Sequence, residues 1–305
     1  MIITQASLNA LRIQFEMRFG EVYGATEPWW PQLATEIPSG AKSNIYGWVA
    51  QSTLLREWIG PRQAVNLSEH SYTLVNKSYE GTIELDRDEV EDDNLGLFTA
   101  VTIPQLAQAA KKHTDQLIKT MLQSNAYAGP LAYDGLSLFH DAHLTYDSAA
   151  STYDNNFAGT ALSAANFNTV WAAMASYTGE DGQPLGIMPN LLIIPPQLKR
   201  TALEILNASL VANAAGTAGV ENVLKGWADV LVIPELANAP TRWYLADVSK
   251  PMKPIIYQNR RADQFVSRDN AQDPKVFDQK KYTYGVDNRK NVGVTLPFLI
   301  STAIA

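Results

Sequence analysis

Two neighbouring stretches, Ile45-Tyr46-Gly47-Trp48-Val49 and Arg56-Glu57-Trp58-Ile59-Gly60-Pro61-Arg62, decide how the rest of the chain is read. Ile45, Gly47 and Val49 alternate with Tyr46 and Trp48, the two-residue period of an extended strand. Gly60-Pro61 is a turn signal. Tyr72 with Leu74, and then Ile83 with Leu85, mark returning extended segments. Residues 40–86 therefore read as one long, twisted hairpin. A two-stranded hairpin cannot bury both of its faces within itself and is marginal alone in water. Trp58 and Ile59 near its tip need a partner surface, either the rest of the chain or another subunit.

On the N-terminal side, Ser7 is placed to cap a helix whose Leu8, Leu11, Phe15 and Phe19 recur at helical spacing. Such a helix packs on its own core or serves as an arm that docks on a neighbour. On the other side, Asp86, Asp88, Glu89, Glu91, Asp92 and Asp93 form an acidic run. A calcium loop needs alternating oxygen ligands, a central glycine and a terminal glutamate. The run lacks that spacing and reads as a solvated or salt-bridged linker.

The strongest helix spans about Thr102 to Ser124, with Thr102 as its cap and Pro104 in its first turn. Leu106, Ala110, His113, Leu117 and Met121 mark one face. At 1.5 Å per residue this rod is roughly 30 Å long, enough to span a domain. His113 on that face reads as a core or interface histidine with one hydrogen-bond partner. Residues 148–160 read as loop. Ser163 caps a second helix with Phe167, Val170, Trp171, Met174 and Tyr177 on one side, a core stripe. Residues 179–184 form a turn. Leu191-Leu192-Ile193-Ile194 is a buried strand stopped by Pro195-Pro196, which open a helix carrying Leu198, Ala202, Ile205 and Leu206 inward. Residues 207–219 read as a flexible loop. Further strands fall at 230–233, 243–245 and 255–257, making residues 185–257 a mixed α/β block. Near the end, Tyr282, Tyr284 and Val286, a polar loop Asp287-Asn288-Arg289-Lys290-Asn291, and then Val292, Val294 and Leu296 read as a hairpin.

Composition bounds the function. The chain has 305 residues, 46% hydrophobic and 18% charged, with a net charge of −7 and no cysteine. That apolar fraction supports a real core. The acidic balance, without a Lys/Arg run, argues against a tight grip on phosphates. Lack of cysteine removes disulfides, thiolate metal sites and cysteine nucleophiles. Asn9, Arg12, Glu16 and Arg18 interrupt any signal-peptide core, and no stretch reaches the ~20 apolar residues of a membrane helix. There is no GxSxG elbow, P-loop or GxGxxG after a strand. His140 and His143, three residues apart beside Asp141, are the one pair with metal or general-base character, and they lack the HExxH pattern.

Several segments together resemble the Mu-like prophage major head subunits. They are Tyr46-Gly47-Trp48, Leu55-Arg56-Glu57-Trp58-Ile59-Gly60-Pro61-Arg62, Leu85-Asp86-Arg87-Asp88 with Glu91-Asp92-Asp93, and Tyr133-Asp134-Gly135-Leu136-Ser137-Leu138-Phe139 with His143. Later come Leu192-Ile193-Ile194-Pro195-Pro196, Trp243-Tyr244-Leu245, and Phe277 with Tyr284-Gly285-Val286-Asp287-Asn288-Arg289. They run across nearly the whole chain.

The resemblance implies an α+β, Hong Kong 97-like capsid fold. Its parts would be an N-terminal arm (1–38), an extended loop hairpin (39–86), a peripheral domain with a spine helix (87–184), an axial domain (185–257) and a return to the peripheral domain (258–305). It implies a shell subunit that assembles with itself into hexamers and pentamers around double-stranded DNA without sequence-specific binding. Scaffolding protein, portal and a decoration protein would be its partners. No enzymatic activity, cofactor, metal or membrane is implied, and assembly would take place in the bacterial cytoplasm. The short arm ahead of the hairpin implies a separate scaffold or an already processed form. Lys–Asn cross-links occur in some proteins of this fold; none is expected here. Arg56, Glu57, Trp58, Ile59 and Arg62 are the expected subunit-interface residues, with Trp58 as anchor because buried aromatics dominate interfaces. Two other readings stay open: a different virion structural protein (tail or decoration), and a metal-dependent hydrolase using His140 and His143.

Overall fold

Two β-sheets, bridged by one long helix, organise the chain. The computed structural model describes residues 5–49, 69–92, 96–123, 131–145, 148–179, 183–212, 219–270 and 273–304. In chain order the elements are α1 (Gln5–Ala25), β1 (Ala34–Pro38), β2 (Ser43–Val49), β3 (Glu69–Val75), β4 (Lys77–Asp86), α2 (Arg87–Asp92), α3 (Ile103–Gln123), β5 (His143–Thr145), β6 (Ser148–Tyr153), β7 (Asn156–Ala158) and α4 (Ala164–Ala175). There follow β8 (Leu191–Ile194), α5 (Lys199–Leu206), β9 (Leu210–Ala212), β10 (Gly219–Glu221), β11 (Asp229–Val232), β12 (Arg242–Ala246), β13 (Ile255–Arg268), α6 (Pro274–Gln279), β14 (Lys281–Val294) and β15 (Ile300–Ile304).

The first sheet has the order β1-β13-β14-β4. Its centre is an antiparallel pair of 14-residue strands, β13 and β14. The predicted terminal hairpin is corrected here. Residues 287–291 form no loop; they run straight through β14, paired with β13 on one side and β4 on the other. The reason is that several of their polar side chains find partners on neighbouring strands. The Arg261 guanidinium donates to Asp287 at 2.6 Å, Lys290 donates to Asp263 at 3.2 Å, and the Asn291 amide donates to the Val75 carbonyl at 2.7 Å. Polar groups with such partners do not break a strand. The segment carrying Ile83 and Leu85 is extended as expected, but it belongs to this sheet as edge strand β4 and not to the hairpin. The acidic run beyond it is solvated at Asp88, Glu89 and Asp92, as expected, but it is helical. It winds into α2, with the Asp86 carboxylate accepting the Asp88 N–H at 2.9 Å.

Helices α1 and α3 cover one face of this sheet. α1 starts at Gln5, so Ser7 lies inside the helix and is not its cap. Leu8, Phe15 and Phe19 are buried as the periodicity predicts. Phe15 meets the Tyr284 ring edge-on at 5.0 Å, and burying one such side chain contributes about 1.5–3 kcal/mol. A π-helical turn over Phe98–Thr102 runs directly into α3, so Thr102 is no cap either. The buried stripe of α3 is Ile103, Ala107, Ala110, Thr114, Ile118 and Met121. Leu106, His113 and Leu117, expected at its centre, lie half-buried beside it. The N-terminal half of α3 packs on the first sheet. Its C-terminal half packs on the second, which makes it the bridge between them.

The second sheet has the order β11-β8-β12-β15-β7. All four residues of β8 are buried, as in a strand covered on both faces. Helices α4 and α5 pack on one face, with Phe167, Val170, Met174, Ala202 and Leu206 against Leu192, Ile194, Trp243 and Leu245. The other face takes Ile118, Met121, Leu122, Leu138 and Phe139. Ser163 caps α4 by accepting the Asn166 N–H at 3.2 Å, as expected from sequence. Three local readings are corrected. Residues 148–160 contain β6 and β7, and β7 is a strand because distant β15 pairs with it. Residues 207–219 contain β9 and the start of β10, which pair as a hairpin. Residues 255–257 open β13 and so lie in the first sheet.

Candidate assembly surfaces

Strands β2 and β3 pair antiparallel with each other and with no other strand among the described residues, forming a two-stranded arm. Its root is held by a polar clamp. Tyr46 and Tyr72 stand opposite each other in register, their rings 5.7 Å apart. The Tyr46 hydroxyl donates to Gln258 Oε1 at 2.7 Å, and the Tyr72 hydroxyl donates to the Val294 carbonyl. Gln258, fully buried, donates in turn to the Leu74 carbonyl at 3.2 Å and to Asn76 Oδ1 at 2.7 Å. Asn76 donates to Ser39 Oγ and to the Ala41 carbonyl, both at 2.9 Å. Burial pushes the Tyr72 and Tyr46 phenols up, which keeps them as donors. Gly293 makes room for the clamp: a Cβ there would stand 2.8 Å from Tyr72 Oη and 3.0 Å from Leu74 Cδ2. On the face of the root opposite the clamp the arm turns apolar surface outward, with Ile45 73% and Val75 44% exposed.

The expected interface residues Arg56, Glu57, Trp58, Ile59 and Arg62 lie outside the described residues. What the sequence reading missed is the clamp. The available signal was the alternation that puts Tyr46 and Tyr72 on one face, but their partners Gln258 and Gly293 are roughly two hundred residues away in the chain. A further apolar surface lies around β9 and β10, where Leu210, Val220 and Val223 are exposed.

A groove of about 210 Å³ runs between α3 and the β4–β14 pair. Leu106, Ala109, Ala110, Tyr79, Gly81 and Val286 form its apolar lining, with Glu80, His113 and Asn288 as its polar members. His113 was expected to keep one hydrogen-bond partner. Instead its ring sits edge-on to Tyr79 at 4.4 Å and its buried Nδ1 has no partner. Burial, with the Lys290 charge nearby, lowers its pKa and keeps the imidazole neutral. Behind the groove lies a buried ion pair. Lys290 and Asp263 are 1% and 6% exposed and 3.2 Å apart. Asp263 also accepts from the Tyr23 hydroxyl at 2.7 Å and from the Asn288 amide at 2.5 Å. This ties α1 to both central strands.

The two close histidines have structural partners. His143 Nδ1 lies 2.7 Å from Asp134 Oδ2, and its Nε2 lies 3.2 Å from the Leu138 carbonyl. Asp134 accepts the Leu136 N–H at 3.1 Å, and Gly135 at φ 75° closes the turn. The Tyr133–Phe139 segment is thus a rigid plug whose Leu138 and Phe139 seal the second sheet. Buried Asn155 fastens it there, donating to the carbonyls of Leu138, Pro297 and Ile300 at 2.8, 3.0 and 3.2 Å. The His140 N–H donates to Asn155 Oδ1 at 2.8 Å, and His140 Nδ1 accepts the Ala142 N–H at 3.0 Å.

A long helix laid across two sheets, with a two-stranded arm rooted on the first, points to a class: the shell-forming subunits of tailed-phage heads. The procapsid subunit of bacteriophage JBD30 superposes with a TM-score of 0.59 at 27% identity, over 99% of this chain and 76% of that one. The capsid of Mycobacterium phage Patience, only 9% identical, still superposes with a TM-score of 0.55 over 99% of this chain and 88% of that one, a likeness of fold. The sequence is matched over residues 8–161, 155–236 and 235–303 by the family of the Mu-like prophage major head subunit gpT, and the chain belongs to that family. It is 28% identical to the Mu-like prophage FluMu major head subunit of Haemophilus influenzae, over 95% of this chain and 71% of that protein. It is 25% identical to the major capsid protein of Escherichia phage Mu, over 96% and 72% respectively. The protein is therefore a major capsid protein, a structural component of the virion whose copies assemble into the shell of the phage head.

Proposed function

We propose that this subunit works as a mechanical building block without catalysis, closing hexamers and pentamers into an icosahedral shell around double-stranded DNA. The observation that carries this reading is the clamped arm: a hairpin fixed at its root, with apolar surface such as Ile45 turned outward. Apolar surface that a chain does not cover itself favours association, and symmetric closure multiplies weak contacts into a stable assembly. In this scheme residues 1–38 act as arm, 39–76 as extended loop, 77–184 and 255–305 as peripheral domain, and 185–254 as axial domain, β4 and residues 255–257 going with the sheet in which they pair. Trp58 anchors the loop on a neighbour, with Arg56, Glu57, Ile59 and Arg62 around it.

The net charge of −7 suits a container that must release DNA, because like charge discourages adhesion to the wall. Assembly takes place in the host cytoplasm with a scaffolding protein and a portal. The JBD30 capsid is decorated with minor capsid protein trimers, and a decoration protein is proposed here by analogy. Trp58→Ala tests the anchor. The folded chain should keep its thermal unfolding midpoint while light scattering and negative-stain microscopy register fewer rings and shells. Assembly at the unmodified level would remove Trp58 from this role.

A further inference from the structure

We propose that Lys290 and Asp263 join in an amide bond, formed within one copy of the chain by the folded protein itself and without a co-reactant. The bond ties β13 to β14 covalently. It joins a lysine to an aspartate of the same chain, a different chemistry from a Lys–Asn cross-link, and it does not depend on shell assembly. The two side chains are 1% and 6% exposed, and Lys290 Nζ lies 3.2 Å from Asp263 Oδ1. The register of β13 on β14 shifts between Asn259 and Arg261 and again between Arg261 and Gln264, and Asp263 falls in the second irregularity. Such irregularities re-aim a side chain. Here the carboxylate meets Asn288 and Lys290 of β14 and Tyr23 of α1.

Two charges held out of water carry a desolvation cost, and an amide made from the same atoms carries no charge. Burial lowers the Lys290 pKa despite the neighbouring carboxylate, which favours the neutral, nucleophilic amine. Two neutral donors polarise the acceptor. Asn288 Nδ2 donates to Oδ1 at 2.5 Å, and the Tyr23 hydroxyl donates to Oδ2 at 2.7 Å. A base stands beside the pair: His113 is neutral, its buried Nδ1 has no hydrogen-bond partner, and the charges of Lys290 and Asp263 both act on it. The atoms balance within the pair. The ammonium first gives one proton to the carboxylate at Oδ2. The amine then attacks Cγ, His113 relays a second proton from the nitrogen to Oδ2, and the Cγ–Oδ2 bond breaks. Ammonium and carboxylate become one amide and one water, with Oδ1 left as a carbonyl held by Asn288. Nothing is oxidised or reduced.

Intact-mass spectrometry of the purified chain tests the bond. The folded protein should weigh one water less than its sequence, and a protease digest should yield a branched peptide joining the Asp263 and Lys290 segments. A mass equal to the sequence overturns the proposal. So does a lost water that maps elsewhere, such as an imide at Asp134-Gly135. Lys290→Arg keeps a positive charge beside Asp263 but has no amine to acylate, and it should carry its full sequence mass. The same water loss in that variant overturns the proposal. Because a variant at a buried charge can fail to fold, the base gives an independent readout. In His113→Gln the water should be lost about a hundredfold more slowly, the scale of general-base catalysis, when the mass is followed from fresh cell-free synthesis. Loss at the unmodified rate overturns the part assigned to His113.

Discussion

Asp134 and His143 form a hydrogen-bonded pair 2.7 Å apart, with side chains only 1% and 0% exposed. The second nitrogen of His143 faces the Leu138 carbonyl, so both ring nitrogens look at acceptors. The pair pins the 131–145 plug at the seam between the two sheets. A motif with catalytic colouring in the sequence is thereby accounted for by architecture.

Breaking this pair from one side should be expensive. His143→Ala leaves the Asp134 carboxylate buried without its partner and is expected to cost roughly 3–5 kcal/mol, read from urea unfolding. The pH dependence has a definite sign. Burial alone would raise the Asp134 pKa, but the hydrogen bond and charge of His143 more than offset it, and the net shift is downward from 3.8. The stabilisation is complete above that unfolded value and is lost as the pH falls from there through the lower folded one. Asp134→Asn should flatten this acid limb of the stability curve; an unchanged limb would assign it to other carboxylates.

Asp115 should behave in the opposite sense. It is fully buried on α3, accepting the Trp30 N–H at 2.9 Å and the Trp29 N–H at 3.4 Å. Burial outweighs those bonds and raises its pKa from 3.8 to about 6. Its contribution is fully present below 3.8 and is lost as the pH rises through about 6, a difference of roughly 3 kcal/mol. Asp115→Asn stays neutral throughout and keeps an acceptor for Trp30. Relative to the unmodified chain, the variant should gain stability by up to that amount between pH 4 and pH 7, measured by denaturant titration at each pH.

The clamp at the root of the arm predicts a paired effect. In Gly293→Ala the new Cβ meets Tyr72 Oη at 2.8 Å and Leu74 Cδ2 at 3.0 Å, and overpacking of this kind costs about 1–3 kcal/mol. Adding Tyr72→Phe removes the closer atom. The double variant should recover part of the loss, although Tyr72→Phe alone destabilises through its lost bond to Val294. Strictly additive losses would show that the two residues do not share the clamp.

Lys290→Met should cost about 3 kcal/mol, because it leaves Asp263 buried with only the neutral donors of Tyr23 and Asn288. Since Tyr23 lies on α1, hydrogen exchange should quicken in α1 as well as in β13 and β14. Faster exchange confined to β14 would mean that Asp263 does not tie the helix to the sheet.

The sequence by itself determined the elements whose signals are local. The α4 stripe of Phe167, Val170 and Met174 with its Ser163 cap, the all-apolar β8 with its following prolines, and the long α3 were legible because periodicity and capping are set within a few residues. So were the two alternating segments that became β2 and β3. Tertiary structure decided what those signals cannot encode. Residues 287–291 look like a loop until Arg261, Asp263 and Val75 supply their partners; β7 becomes a strand only when β15 lies beside it. The stripe of α3 turned because it must meet two sheets at once. Gln258 and Gly293 became parts of an arm's root through contacts about two hundred residues distant. The physical reason is the same in each case: a polar group or short strand is judged by the partner that satisfies it, and that partner is a property of the folded chain.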